Sequence, residues 1–160
     1  MKSLVSVLLL AVASLVAGCA GTAASVKTEY RLAQGERLSL QVTAPPTITD
    51  EGLQILKAKL TAQLTEASLL ADASATSGRI LDVTVTNYTM RHGAARALLG
   101  IMAGSDNIQS TVKVKDRVTG AVLSEFSVES KNPTAMGTSR GMIETHADTI
   151  VETLRGGKKS

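Results

Sequence analysis

The sequence predicts an α/β fold, a two-layer sandwich in which a mixed sheet of about four or five strands carries two main helices on one face. Three observations carry that expectation. Apolar and polar residues alternate in separate runs near 38–44, 80–86, 108–115 and 122–129, as strands with one buried face require. Two other stretches, 53–67 and 143–154, repeat apolar residues every three or four positions, the period of a helix with one buried stripe. Their order, strand, helix, three strands, helix, supplies enough helix to cover one side of a sheet.

The chain opens on Met1-Lys2-Ser3, one positive charge, followed by an apolar or small-residue run from Leu4 to Val16. That run is too short to span a bilayer but suits the apolar core of a secretory signal peptide. Val16-Ala17-Gly18-Cys19 then places two small residues before the only cysteine in the chain. This tetrad resembles the lipobox of bacterial lipoproteins. The resemblance implies diacylglycerol on the Cys19 thiol, cleavage between Gly18 and Cys19, and acylation, as with palmitate, of the new amine. Residues 1–18 are then a removed signal peptide. Ala20, rather than Asp, after the cysteine resembles the enterobacterial pattern for export to the outer membrane, facing the periplasm. The competing reading is a plain secretory peptide beside a stray thiol. One acyl chain binds a bilayer marginally, since each buried CH₂ contributes about 0.8 kcal/mol, whereas two or three anchor stably.

Ala20 to Thr28 is rich in Ala, Ser, Thr and Gly and reads as a flexible tether, so that residues 19–28 form the lipidated cysteine and its linker. At about 3.3 Å per residue that linker reaches roughly 30 Å. The domain itself is expected over 29–156, with a short strand near Lys27 to Leu32 and a basic tail at 157–160. Leu38, Leu40, Val42 and Ala44 then alternate with Ser39, Gln41 and Thr43, and Pro45-Pro46 ends the strand.

Thr49 is a natural helix N-cap, with Asp50 and Glu51 in the first turn, where carboxylates interact favourably with the helix dipole. Leu53, Leu56, Leu60, Leu64 and Ala67 form one stripe of about five turns. The polar face lacks the Arg and Lys enrichment of a membrane-surface helix, which favours packing on a core. Leu81, Val83 and Val85 mark the next strand, and Ile108, Val112 and Val114 the one after it. A turn from Asp116 to Gly120 leads to Val122, Phe126 and Val128, so the last two strands form a hairpin. Asn132-Pro133 ends it, and Ile143, Ala147, Ile150, Val151 and Leu154 mark the second helix, stopped by Gly156-Gly157. Thr84, Thr86, Thr111, Lys113, Lys115, Glu125 and Glu129 are left for the open sheet face, which serves either as ordinary solvated surface or as a docking platform.

Between the two middle strands lies an apolar segment, Gly93 to Gly104, with Arg96 ahead of Gly100 and Gly104, four residues apart on an expected short helix. Together with the following strand and Asp116, Thr119 and Gly120, this pattern resembles the bacterial lipoprotein family known as the domain of unknown function 4410. The resemblance covers about residues 38–155, and the family has no assigned activity. The segment fits a tightly packed structural element, a docking site or an interfacial membrane contact.

No catalytic constellation stands out. Glu144, His146 and Asp148 alternate, but on a helix His146 lies about 200° from Glu144, so the three do not converge on a metal. His92 has no ligand-spaced neighbours, Ser105-Asp106 lacks a nucleophile elbow, and Gly156 to Ser160 lacks the frame of a phosphate loop. A single cysteine excludes an intramolecular disulfide and a zinc site of several thiolates. With the signal removed, 16 basic residues face 14 acidic ones, and Tyr30, Tyr88 and Phe126 are the only aromatics, so no nucleic-acid partner is indicated. The sequence therefore leads to a non-enzymatic envelope lipoprotein, without cofactor or metal, held to a membrane at Cys19 and supporting or binding another envelope protein. The alternative is a small-ligand or lipid-binding module using an apolar pocket near Gly93 to Gly104.

Overall fold

The computed structural model describes residues 21–72, 75, 78–90, 105–133 and 138–156. The elements are β1 (Gly21–Thr28), β2 (Leu38–Thr43), α1 (Asp50–Glu66), β3 (Arg79–Thr89), β4 (Asp106–Asp116), β5 (Val122–Asn132) and α2 (Ser139–Leu154). The strands form one mixed sheet in the order β1-β5-β4-β3-β2. All pairs are antiparallel except β2 with β3, which α1 joins as a crossover. This is the α/β two-layer architecture that the two periodicities predict.

One expectation fails. The stretch read as a flexible tether is β1, paired along its length with β5 from Gly21 opposite Lys131 to Thr28 opposite Glu125. The physical reason is that an edge strand draws its stability from backbone hydrogen bonds and needs little apolar side chain of its own. Here the Thr22 hydroxyl also meets the Ser130 hydroxyl at 2.7 Å, and Lys27 pairs with Glu125 at 3.0 Å. The separate short strand expected near Lys27 to Leu32 does not form: Lys27 and Thr28 close β1, and residues 29–32 belong to the loop that follows it.

Both helices begin as the sequence indicates. Thr49 accepts a hydrogen bond from the Gly52 amide, and Thr138 accepts one from the Gly141 amide, each at 3.0 Å. Leu56, Leu60 and Leu64 of α1 and Ile143, Ala147, Ile150, Val151 and Leu154 of α2 are buried. They join Leu81, Val83, Val85, Ile108, Val112, Val114, Phe126 and Val128 from the sheet in one core. Each fully buried aliphatic side chain contributes about 1.5–3 kcal/mol, so the two stripes account for the sheet having one covered face.

A register shift between Val85 and Asn87 leaves Thr86 and Asn87 both exposed and returns Tyr88 to the core side. The Tyr88 hydroxyl then lies over the first turn of α1, where Gly52 supplies the only side chain that fits: a Cβ there would stand 2.6 Å from that oxygen. Val122, expected on the apolar face, is 45% exposed: another shift, between Val114 and Lys115, sets it opposite Lys115 at the open end of the hairpin.

The two helices run parallel. Their N-termini meet at one end of the sheet, where Arg140 reaches Glu51 and Glu144, and their C-terminal turns share the opposite end with the β4–β5 turn. We call these the upper and lower ends. Gly21, Lys131, Asn107 and Thr89 form a row at the upper end of the sheet, with the Asp106–Asn132 pair beyond it.

Candidate functional site

The sheet face away from the helices is covered by no described element. Strict alternation sends the odd-numbered residues of β4 and β5 to it, and register aligns them with their neighbours. One row crosses all five strands with hydroxyl side chains only: Thr43, Thr84, Thr111, Ser127 and Ser25. At about 4.8 Å per strand this row is roughly 19 Å long. Charged rows flank it. Glu125 lies between Lys27, at 3.0 Å, and Lys113, at 3.9 Å, and the hydrogen bond from Lys27 holds its carboxyl below the usual range. Lys115 pairs with Asp82, while Glu129 accepts from Lys131 at 2.9 Å and from Asn107 at 3.3 Å. The face is thus a regular array of hydroxyls bounded by paired charges, fixed by the backbone ladder beneath. It carries the residues the sequence assigned to it.

Behind this face, in the core, lies a polar chain that sequence reasoning placed only in part. His146 of α2 is fully buried, with Nε2 2.8 Å from the Ser110 hydroxyl of β4 and Nδ1 2.9 Å from the Ser130 hydroxyl of β5. Ser130 continues to Thr22 of β1. A neutral imidazole offers one donor and one acceptor, so both serines are satisfied when His146 is uncharged. Burial pushes its pKa down from 6.5 to about 4. Four elements are pinned together by this chain. The signal was present in the sequence: Ser110 and Ser130 occupy core positions of apolar strand faces, and such hydroxyls need a buried partner.

The motif residues divide. Cys19, Gly18, Arg96, Gly100 and Gly104, with the whole Gly93 to Gly104 segment and its proposed pocket, lie outside the described residues, as does His92. Asp116, Thr119 and Gly120 come together as the β4–β5 turn. Asp116 Oδ1 accepts from the Val118 amide at 3.0 Å, the Thr119 amide at 2.8 Å and the Thr119 hydroxyl at 3.0 Å. These bonds, those from Thr119 foremost, hold its carboxyl below the ordinary aspartate range. Gly120 takes φ +73°, the left-handed conformation that favours glycine. The other carboxylate oxygen pairs with Arg79, whose Nε lies 2.9 Å from Glu36, and Glu36 in turn accepts from Tyr30 at 2.9 and 3.0 Å. The Asp-x-x-Thr-Gly motif is a structural clamp, joining the hairpin turn to β3 and to the loop that crosses from β1 to β2.

That loop roofs a recess of about 870 Å³ at the lower end, lined among others by Tyr30, Leu32, Leu69, Phe126, Leu154 and Arg155. It is a feature that no sequence pattern indicated, because it is assembled from the ends of five separate segments. Among the described residues no three or more His, Cys, Asp or Glu side chains gather as a metal site. Glu144 and Asp148 point outward to Arg140 and Lys59 while His146 points into the core, so the three diverge. No described helix is long and apolar enough to cross a membrane.

Comparison with known proteins agrees with this reading of the fold. The family model described as domain of unknown function (DUF4410) matches residues 21–138. Among solved structures, the PelC dodecamer from Paraburkholderia phytofirmans superposes with a TM-score of 0.60 at 14% identity, covering 86% of this chain and 99% of that one. Lipoprotein GNA1162 from Neisseria meningitidis gives a TM-score of 0.47 at 14% identity, covering 76% of this chain and 99% of that one. At 14% identity the PelC match shows likeness of fold alone. No curated protein matches the sequence.

Proposed function

The chain belongs to the DUF4410 family, and we propose that it is a non-enzymatic lipoprotein of the cell envelope. In this reading Cys19 carries the lipid that holds the chain to the outer membrane, and the domain faces the periplasm and docks another envelope protein. The observation that carries the docking role is the uncovered sheet face, with its hydroxyl row and its paired charges. Such a surface is rigid before contact, so a partner that lies on it need not order it, and its hydroxyls donate and accept at regular spacing. PelC, of the same fold, is a dodecamer. This supports assembly, with copies of the same chain among the candidate partners. The test is a photo-crosslinking residue at Lys113 on the open face, with a control at Lys57 on the outer side of α1, in living cells. A recurrent protein adduct at Lys113 and none at Lys57 is expected; equal or absent labelling at both refutes the docking face.

The lower-end recess favours a second reading, a small-ligand or lipid-binding module. Its size is within the range of ligand pockets, and its wall joins Phe126 and Leu69 to Tyr30 and Arg155. Native mass spectrometry of the purified protein distinguishes the two, since a bound molecule lost on a Leu69→Trp substitution would place the ligand in that recess.

A further inference from the structure

We infer that the lower-end recess binds a single-chain amphiphile with an anionic head, its chain against Leu32, Leu69 and Phe126 and its head against Arg31 and Arg155. This inference rests on the second reading above, a ligand-binding recess, and names the chemistry of what it takes. Core residues Phe126 and Leu154 line the recess together with the half-buried Leu32 and Leu69, and Val26, opposite Phe126 on β1, is left 37% exposed. The large apolar side chains exposed among the described residues, Val26, Val118 and Val122, all lie at this end of the molecule. Apolar surface in contact with water is thus concentrated at one end, and an acyl chain laid in the recess removes part of it from water. The volume of about 870 Å³ falls in the range of pockets for one small molecule, which one chain and its head fit.

The sign of the head follows from which polar groups around the recess are already engaged. Lys27 is held by Glu125 at 3.0 Å, the Tyr30 hydroxyl donates to Glu36, and Glu29 has a partner of its own. Carbonyls at the ends of both helices are taken as well: that of Leu64 accepts from the Leu69 and Leu70 amides, that of Val151 from Arg155, and that of Thr153 from Gly156. Arg31 and Arg155 remain, both exposed and neither paired with a carboxylate among the described residues. Two unpaired guanidiniums beside an apolar recess select an anion at the end of a chain. A carboxylate or phosphate accepts their hydrogen bonds in forked geometry, and such charge-assisted bonds are stronger than neutral ones. A neutral lipid gains only the contact of its chain, and a cationic one is repelled.

The test uses the full chain, made in a bacterium that processes lipoproteins and purified in maltoside micelles. The probe is palmitate with a diazirine in its chain, and adducts formed on illumination are mapped by peptide mass spectrometry. A double variant, Arg31→Gln with Arg155→Gln, is labelled alongside; both side chains are exposed, and thermal unfolding verifies that its fold stands. Adducts are expected around Leu69 and Phe126, displaced by excess palmitate or lysophosphatidate but not by monopalmitoylglycerol. The probe concentration for half-labelling should rise about tenfold or more in the double variant. The two anionic competitors tell the heads apart: displacement by palmitate alone assigns a carboxylate, and displacement by lysophosphatidate at lower concentration assigns a phosphate. Equal displacement by monopalmitoylglycerol, or unchanged labelling of the double variant, overturns the anionic head while leaving a lipid-binding recess. Adducts absent from the recess overturn the ligand-binding reading itself, and so separate the two failures.

Discussion

Acidification tests the buried His146 most directly. Its folded pKa of about 4 lies below the unfolded value of 6.5, so between these pH values the unfolded chain takes up a proton that the folded chain refuses. Above pH 6.5 both states are neutral and the group contributes nothing to pH dependence. As pH falls from 6.5 toward 4, stability drops by up to 1.36 kcal/mol per unit, about 2 kcal/mol by pH 5 and roughly 3 kcal/mol in all. The carboxylates held low, Asp116, Glu125 and Glu129, lose their contribution only below the usual carboxylate range, so the window between pH 7 and 5 isolates the imidazole. Urea titrations at pH 7.5 and 5.0 on wild type and His146→Gln measure it. With a denaturant slope of about 2 kcal/mol per M, the wild-type midpoint falls by about 1 M while that of His146→Gln stays within a fraction of that. Equal shifts in the two proteins would show that His146 is not held neutral between Ser110 and Ser130.

Gly52→Ala puts a methyl 2.6 Å from the Tyr88 hydroxyl, so overpacking outweighs the gain in helix propensity and costs about 1–3 kcal/mol; in a Tyr88→Phe background thermal unfolding should show most of that cost relieved. Asp116→Ala removes three acceptor bonds in the β4–β5 turn and the partner of Arg79, and should lower the urea midpoint, whereas Thr119→Ala lowers it less; an unchanged midpoint for Asp116→Ala would remove the clamp reading. Cys19→Ala should abolish fatty-acid labelling and leave an unprocessed or soluble chain; continued labelling refutes the anchor.

Most elements were legible because each carries a large apolar residue at every second or every third and fourth position. Leu81, Val83 and Val85 or Leu56, Leu60 and Leu64 admit one period only. β1 was hidden for the converse reason. The apolar side chains on its core side are only Ala24 and Val26, beside the polar Thr22, and its partner β5 lies about a hundred residues away, so neither side-chain alternation nor a hairpin turn announces it. The open face was legible from the same alternation, but its hydroxyl row was not, because that row depends on register between five strands. The roles of Asp116, Thr119 and Gly120 could be read as a turn, while their clamp on Arg79 and Glu36 required the crossover loop to be placed. His146 shows a middle case. Its helix position, three residues after Ile143 and four before Ile150, marks it as inward-facing, yet the serines that receive it belong to distant strands.

The pairing of β1 also decides how the domain bears load. A lipid anchor at Cys19, as proposed, would pull on the N-terminal end of β1, and the part of that pull along the strand axis would load the whole strand. Tension in that direction strains all seven paired positions between Gly21 and Thr28 together, in shear, instead of peeling them apart one by one. The Thr22–Ser130 contact and the Lys27–Glu125 ion pair resist the same sliding. A load passed through such an anchor would therefore be shared across the edge of the sheet instead of falling on one bond at a time.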